Sequence, residues 1–455
     1  MVVQNAMISG YGLWLKRLRY GHDFERTLAQ LTETERYTAD ALRAVQANRL
    51  AALVMHAGAH VPFYSALLER AGIRPHEVNI DNLARALPIL TKEQICASST
   101  ALVSSAYARR ALVPLKTSGT TGTALTVLAT RRAIQQNFAF FARFLAWAGV
   151  KIGQPSATFA GRLVVPIEQS RPPFWRVNWT TRTTLFSSYH ISRDNMPHYI
   201  RQLERTAPAF IDSYPSAIFT IASYLKEQGD AHKIRPRAII TSSETLSPHQ
   251  RDVIEEVFRC PVFDQYGNVE MAAFIGQCEK GTYHISPEYG FVEVLDAQGR
   301  PARPGEAGEL ICTGLLNFAM PLIRYRIGDS VVVGTKSCGC GRNFPVVDSV
   351  IGRTDDMIVT PEGRYVGRLS PVFKLFPSVR EAQVIQDRLD HVTVKIVCGE
   401  DYTDAVGAAL IREFQLRTGA SLQVSLDRVD AIPRTAAGKF RSVVSLLNRN
   451  GQLSV

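Results

Sequence analysis

The alternation of apolar and polar positions divides this chain into three textures. From residue 24 to 70 apolar side chains recur at helical spacing, first Thr27, Leu28 and Leu31, then Leu42, Val45, Leu50, Leu53 and Val54. That period predicts a run of amphipathic helices. Pro62-Phe63-Tyr64 interrupts the run, and Ser65 to Ala71 resumes it. Shorter helices are expected over Asp81 to Ala86 and over Lys92 to Ser98, the second capped by Thr91 with Glu93 near it. Arg131 to Gly149 sets Phe138, Phe140, Phe141, Phe144 and Trp147 on a strongly amphipathic helix.

From 150 to 260 short apolar runs alternate with helical segments. Strands are expected at Ala157 to Ala160, Ala209 to Tyr214, Ala238 to Thr241 and Val262 to Asp264. Helices are expected at Met196 to Arg205, Ser216 to Glu227 and Pro248 to Phe258. Such alternation implies a parallel or mixed sheet wrapped by helices. After 285 the texture turns to β: Phe291 to Leu295 and Glu309 to Cys312 flank a connection rich in glycine and proline. Past Gly352-Arg353-Thr354-Asp355-Asp356 comes a strand, strand, helix, strand pattern: Glu381 to Gln386, Val392 to Val397, Asp404 to Leu416 and Leu422 to Leu426. The fold class is therefore α/β. A large N-terminal domain (1–352), with mixed sheets wrapped by helices plus a small β subdomain, precedes a small α+β C-terminal domain (353–455).

Composition narrows the function classes. A chain of 455 residues exceeds what one core comfortably serves. Its 46% hydrophobic and 20% charged residues describe a folded protein. The longest apolar runs are too short to span a membrane, and no signal-peptide pattern is apparent, so the cytoplasm is the expected location. The net charge of +11 is scattered rather than gathered into a stripe, which argues against nucleic-acid binding and suits polyanionic small molecules. Gly10 to Asp23 is the one basic, aromatic-rich segment; a packed helix is expected there, with a surface-lying membrane helix as the alternative. Seven cysteines, an odd number, argue for reduced thiols or a metal. Cys96, Cys260, Cys312 and Cys398 sit in apolar settings and are expected to be buried thiols.

The candidate chemistry begins at Thr117-Ser118-Gly119-Thr120-Thr121-Gly122, four hydroxyls and two glycines between apolar runs. By itself this stretch is either a polar hairpin turn or a phosphate cradle; no Gly-Lys-Ser/Thr follows, so it is not a Walker loop. Five more stretches carry unusual chemistry: Ser242 to Pro248, Tyr266-Gly267-Asn268-Val269-Glu270, Arg324 to Asp329, Gly352 to Asp356, and the loop Pro433 to Lys439. Separately, Cys278, His284, Cys338 and Cys340 form a tetrahedral ligand set of zinc type, although Cys-x-Cys is tighter than the common Cys-x2-Cys.

In this order and at these intervals the six stretches resemble the adenylate-forming ligases, the superfamily of acyl-CoA synthetases, nonribosomal-peptide adenylation domains and luciferase. Val61-Pro62-Phe63-Tyr64, Ser243-Glu244-Thr245-Leu246 and Arg353-Thr354-Asp355-Asp356-Met357 look like the phenylacetate-CoA ligase branch. The resemblance implies that ATP activates a carboxylic acid as an acyl-adenylate, which then passes to coenzyme A. Thr117, Ser118, Gly119, Thr120, Thr121 and Gly122 would hold the β- and γ-phosphates, and Thr121 would act in catalysis. Glu270 would bind Mg²⁺. Asp329 would take the ribose hydroxyls, and Ser243, Glu244, Tyr266 and Gly267 the adenine. Arg353 would reach ribose or phosphate, and Lys439 the α-phosphate. Asp355 would be the hinge of a mobile C-terminal domain. Some members of the branch carry a structural zinc in the region of the cysteine set. The acid would lie among Phe159, Tyr189, Tyr214, Pro215, Phe274 and Ile275, with the insertion at Arg171 to Trp175 shaping the entrance. The partners implied are an aromatic acid, ATP and coenzyme A, with a homodimer allowed. Alternatives are transfer to an amine, a sugar or a carrier protein, activation of nitrite as in diazotising relatives, or an inactive nucleotide-binding scaffold.

Overall fold

A computed structural model of the chain describes residues 2–117, 125–162, 164–166, 169–229, 232–353, 358–361, 365–366, 369–373, 376, 378–419, 421–433 and 440–447. It divides into two compact units, Met1–Ser243 with Val253–Val350, and Glu244–Asp252 with Ile351–Val455.

The first unit opens with helices α1 (Val2–Arg19), α2 (His22–Thr34), α3 (Ala39–His60), α4 (Pro62–Ala71), α5 (Leu83–Ala86) and α6 (Lys92–Ala97). Pro62 separates α3 from α4: it forces extended backbone at Val61 (φ −114°, ψ 105°) and then occupies the first turn of α4, where its missing N–H costs nothing. Thr91 caps α6 as expected, with Gln94 as the reciprocal partner and Glu93 hydrogen-bonded to the Thr91 side chain. A hairpin of β1 (Val113–Lys116) and β2 (Thr126–Ala129) leads to α7 (Arg131–Trp147), capped by Thr130.

Next come β3 (Ser156–Ala160), β4 (Trp175–Asn178), β5 (Thr183–Ser187), α8 (Met196–Thr206), β6 (Phe210–Ser213), α9 (Pro215–Glu227), β7 (Ala238–Ser242), α10 (Pro248–Phe258) and β8 (Val262–Gly267). Then follow β9 (Phe274–Gln277), β10 (Tyr283–Ile285), β11 (Gly290–Leu295), β12 (Ala307–Gly314), β13 (Tyr325–Val333) and β14 (Val346–Arg353). Strands β3 to β14 form one twelve-stranded sheet in the order β11-β12-β13-β14-β10-β9-β8-β7-β6-β3-β5-β4. Five neighbours, β5, β3, β6, β7 and β8, run parallel. The run Ala238–Thr241 in β7 is wholly buried, as a strand covered on both faces requires.

The second unit holds two small sheets, β15 (Ile358–Val359) with β16 (Tyr365–Val366), and β17 (Val379–Arg388), β18 (His391–Cys398), β19 (Gln423–Arg428) and β20 (Val443–Ser445) in the order β19-β18-β17-β20. Helices α11 (Ser370–Phe373) and α12 (Asp404–Thr418) complete it. Val384, Val394 and Ile396 of the four-stranded sheet bury against Leu410 and Phe414 of α12.

One buried ion pair organises the helical side of the first unit. Arg143 on α7 reaches Glu288, whose side chain is 0% exposed, at 2.7 Å. Thr34 at the end of α2 donates to the same carboxylate at 2.6 Å, and Arg143 also donates to Ser286. Burial alone would push the Glu288 carboxyl up; the charge of Arg143 and the hydrogen bonds from Arg143 and Thr34 hold it below its ordinary 4.5. Because the folded pKa is the lower one, the stabilisation is complete above the unfolded pKa and is lost as pH falls through the folded value. Glu288→Ala, which strands a buried guanidinium, is expected to cost about 3–5 kcal/mol in urea unfolding at neutral pH. Glu288→Gln should flatten the acid limb of the stability curve, read as the denaturation midpoint against pH.

Candidate functional site

The parallel strands end together, and the residues at their carboxyl ends are those with the chemistry. Tyr189 follows β5, Tyr214 follows β6, Ser243 follows β7, and Tyr266 and Gly267 close β8. Ligands of open α/β sheets bind outside this edge.

The acidic part of the site is assembled on that edge. The Tyr266 hydroxyl donates to Asp329 at 2.6 Å, and the Tyr325 hydroxyl donates to Glu270 at 3.3 Å. Burial pushes the Tyr266 phenol well above its ordinary range, and the charges of Asp329 and Glu270 add to the shift. The fully buried Cys312 thiol is raised by burial and by the same two carboxylates. Tyr266, Glu270 and Asp329, distant in sequence, thus form one electronegative cluster suited to a cation and to hydroxyl donors.

The backbone that presents Glu270 is held under constraint. Asn268 ties the turn, accepting from Ala272 N–H at 2.8 Å and donating to the Ala273 carbonyl. The Met271–Ala272 backbone crosses over Gly290 and Gly314, paired across β11 and β12, where an added Cβ would collide with its carbonyl oxygens. Met271 has φ 54°, Ser243 φ 70° and Arg324 φ 52°, left-handed values that are costly without glycine. All three lie in or directly beside the predicted motifs. Arg324 is locked by a two-pronged pair with Glu293 (2.9 Å to each oxygen) and by the carbonyls of Ala84 and Leu87.

The remaining nucleotide residues are placed unevenly. Thr117 closes the neck of the β1–β2 hairpin, its hydroxyl accepting from Leu125 N–H and its own N–H reaching the Leu125 carbonyl, each at 2.9 Å. Ser118, Gly119, Thr120, Thr121, Gly122, Asp355 and Lys439 lie outside the described residues, as does the side chain of Arg353 at the end of β14. In the second unit Glu244 accepts from the N–H of Phe440, the residue after Lys439, at 2.7 Å.

Two sets of expectations need correction. Phe159, Phe274 and Ile275 are core residues: Phe159 stacks on Phe186 at 4.6 Å, and Phe274 packs among Phe140, Phe144 and Tyr289. Tyr189 and Tyr214 stay at the strand edge, partly exposed. Of the four cysteines expected to be buried, Cys260 and Cys312 are, whereas Cys96 is exposed and Cys398 half-buried. Asp212 escaped the sequence reading. It sits on β6 between Thr158 and Ile240, and burial raises its carboxyl to about 6 despite Arg162. The signal was an aspartate inside an apolar run, Phe210-Ile211-Asp212-Ser213.

The second cluster matches its expected ligand set. Cys278, His284, Cys338 and Cys340 converge with their ligand atoms all within 4.8 Å of one another. Cys278 Sγ lies 3.6 Å from Cys338 Sγ, and Cys340 Sγ 3.4 Å from His284 Nε2. Ligands about 2.1–2.3 Å from a tetrahedral zinc would stand about 3.6–3.8 Å apart, so the donors are spaced for that ion. The ring is oriented from behind, with His284 Nδ1 facing the Phe344 carbonyl at 3.4 Å. Burial pushes the Cys278 thiol up to about 11 and the His284 imidazole down, so a buried cation is the natural means of holding the thiolate here.

This fold, with its acidic cluster at the carboxyl edge, is that of the adenylate-forming enzymes. The chain is similar over nearly its whole length to Protein CapK and to phenylacetate-CoA ligases. The family model "CapK C-terminal domain" matches residues 358–446. The chain is 27% identical to Protein CapK of Staphylococcus aureus, over 98% of this chain and 97% of the relative. It is 25% identical to the phenylacetate-coenzyme A ligase of Thermus thermophilus, over 91% and 98% respectively. Among solved structures, 2-hydroxyisobutyryl-CoA ligase in the postadenylation state has the same fold, with TM-score 0.73, 19% identity and 91% of each chain covered.

Removing the charge that Tyr266 faces should move its titration. In Asp329→Asn one tyrosine is expected to ionise at lower pH than in the parent, with burial still keeping it above free tyrosine. Ultraviolet difference titration of the two proteins reads this; superimposable curves would deny the coupling.

Proposed function

We propose that the chain is an AMP-forming acid–CoA ligase that activates an aromatic carboxylic acid with ATP. The observation that carries the reading is the meeting of Tyr266, Glu270 and Asp329 at the carboxyl edge of the parallel strands. These are the positions that the resemblance assigns to adenine, Mg²⁺ and ribose. The length-spanning similarity to phenylacetate-coenzyme A ligases supports both the reaction class and the acceptor.

In this reading the acid's carboxylate attacks the α-phosphorus of ATP, pyrophosphate leaves, and the thiol of coenzyme A then displaces AMP. Two anions have to approach, so most of the barrier is electrostatic. Asp329 orients the ribose and so fixes the α-phosphorus in line. Glu270 would hold Mg²⁺, which supplies charge neutralisation to the phosphates. Ser118, Thr120 and Thr121 would donate hydroxyls to the β- and γ-phosphates, with Gly119 and Gly122 admitting the phosphates close to the backbone. Lys439 would neutralise charge building on the α-phosphate, and Arg353 would add a second cation. Rotation at Asp355 would withdraw Lys439 and admit the acceptor. Tyr189 and Tyr214 provide aromatic edges for the acid. The cysteine–histidine cluster would hold a closed, structural zinc.

ATP–pyrophosphate exchange over a panel of aromatic and aliphatic acids, with nitrite as a separate arm, tests the reading. Exchange with an aromatic acid and a CoA thioester by mass analysis are expected; exchange with no carboxylate would refute it, and an adenylate that only an amine, sugar or carrier protein consumes would refute the acceptor. Lys439→Ala is expected to lower exchange by about 10²–10³-fold or more while largely sparing thioester formation from supplied acyl-adenylate. Equal loss of both half-reactions would reject the two-conformation assignment. About one zinc per chain is expected by elemental analysis, lost in Cys338→Ser/Cys340→Ser together with several degrees of Tm.

A further inference from the structure

Helix α1 is built inside out. The residues it buries are polar or small, Asn5, Ser9 and Gly12. Its large apolar residues face water: Val3 is 72% exposed, Met7 71%, Tyr11 58% and Trp14 53%. At about 100° per residue these four fall within an arc of roughly 80°, centred opposite the buried stripe. Tyr11 and Trp14 stack on each other, ring centroids 5.5 Å apart, which keeps the stripe ordered.

The inward face has a clear task. Strand β4 is the last strand of the twelve-stranded sheet, so its outer N–H groups lack a strand partner. Asn5 accepts from Val177 N–H, Ser9 accepts from Trp179 N–H, and Thr180 donates to the Ser9 carbonyl. Gly12 lies against the Asn178 side chain, which an added Cβ would displace. The helix thus seals a sheet edge with its polar side. That task explains the inward residues and gives no reason for the outward ones, since a helix that only covered the edge would expose polar side chains.

We propose that the outward stripe is a membrane-surface anchor, lying in the headgroup region of an anionic bilayer. Charge complementarity selects this occupant. Helix α1 contains no acidic residue, and Arg17, exposed in its last turn, flanks the stripe, while the exposed Lys16 lies on the opposite side of the helix. The protein carries net charge +11. Tryptophan and tyrosine are the side chains that favour the membrane–water boundary. Trp179, whose N–H is bonded to Ser9, exposes another indole next to the helix (52%). No single described helix is long and apolar enough to cross a membrane, so the contact is one of lying on the surface. The anchor is distinct from the nucleotide site, and the proposal stands whichever acid is activated.

Co-sedimentation of the full chain with vesicles tests this, using phosphatidylcholine alone and phosphatidylcholine with an equal share of phosphatidylglycerol. Pelleting with the anionic vesicles, weakened by added salt, is expected, with little on the neutral ones. Met7→Glu and Trp14→Glu are expected to lower partition at least ten-fold, and Arg17→Glu about five-fold. All three sites are exposed, so thermal unfolding and ATP–pyrophosphate exchange in solution should match the parent. No pelleting by the parent, equal pelleting on neutral vesicles, or unchanged pelleting by Met7→Glu would overturn the proposal. A parent dimer in light scattering that Met7→Glu converts to monomer would overturn it in favour of a second copy as occupant.

Discussion

The buried Arg143–Glu288 pair is the constraint on which most of the larger unit depends. Neither charge reaches water, so each is tolerable only in the presence of the other. Around them the packing is set by geometry rather than by area. The Arg143 guanidinium lies 5.0–5.6 Å from the rings of Phe140, Trp147 and Phe344. Trp147 takes a second cation, Arg342 at 4.4 Å, and its indole N–H donates to Glu35. Arg342 in turn pairs with Glu279, the residue after Cys278. One chain of charge and ring contacts therefore runs from α2 through α7 to the cysteine–histidine cluster, and Trp147 meets His284 edge-on at 6.5 Å. The helical cover and the cysteine-bearing loops are pinned to the same buried residues.

That pinning reaches the nucleotide edge through short covalent spans. Glu288 is followed by Tyr289, bonded to Asn137 on α7, and then by Gly290, on which the Met271–Ala272 backbone rests. Glu270 precedes that backbone by one residue. A left-handed Met271 costs energy that only a well-determined surrounding can sustain. The surrounding here is a glycine pair that admits the crossing chain and an asparagine that ties both ends of the turn. The position of the acidic cluster thus follows from backbone strain held by the core, and a core defect would blur the site before it unfolded the protein.

The legible and illegible parts of this sequence divide on physical lines. Helices with a single apolar face, such as α7 and α8, were readable within a residue or two because their period is local. The buried parallel strands β6 and β7 were readable as apolar runs between helices. Strands β4, β5, β9 and β10 were missed because they are only three to five residues long, and the longer β13 and β14 because their pairing is set by distant partners, such as Val346 with His284. The six motifs located Tyr266, Glu270 and Asp329, yet nothing local said that the first would bond the third. The four zinc-type ligands were visible by residue type despite an irregular spacing, because sulfur and imidazole have few other reasons to recur together. Phe159, Phe274 and Ile275 went wrong because an aromatic or aliphatic residue beside a motif reads the same whether it faces a ligand or the core. Asp212 was overlooked because burial, which gives it interest, is a tertiary property.

Helix α1 shows the same limit in reverse. Its sequence is apolar on one side and polar on the other, and a reader of sequence turns the apolar side inward. What turns it outward is the open edge of β4, whose N–H groups at Val177 and Trp179 need acceptors spaced two residues apart on the strand. Asn5 and Ser9, one helical turn apart, supply them, and no apolar side chain could. Once those bonds fix the rotation of the helix, the opposite stripe has nowhere to go but solvent. An unpaired buried amide costs about 1–3 kcal/mol, whereas an exposed apolar stripe can be compensated by whatever covers it. The edge therefore decides the orientation. The lack of any carboxylate on α1, together with the exposed Arg17 that flanks the stripe, selects an anionic surface over a neutral one.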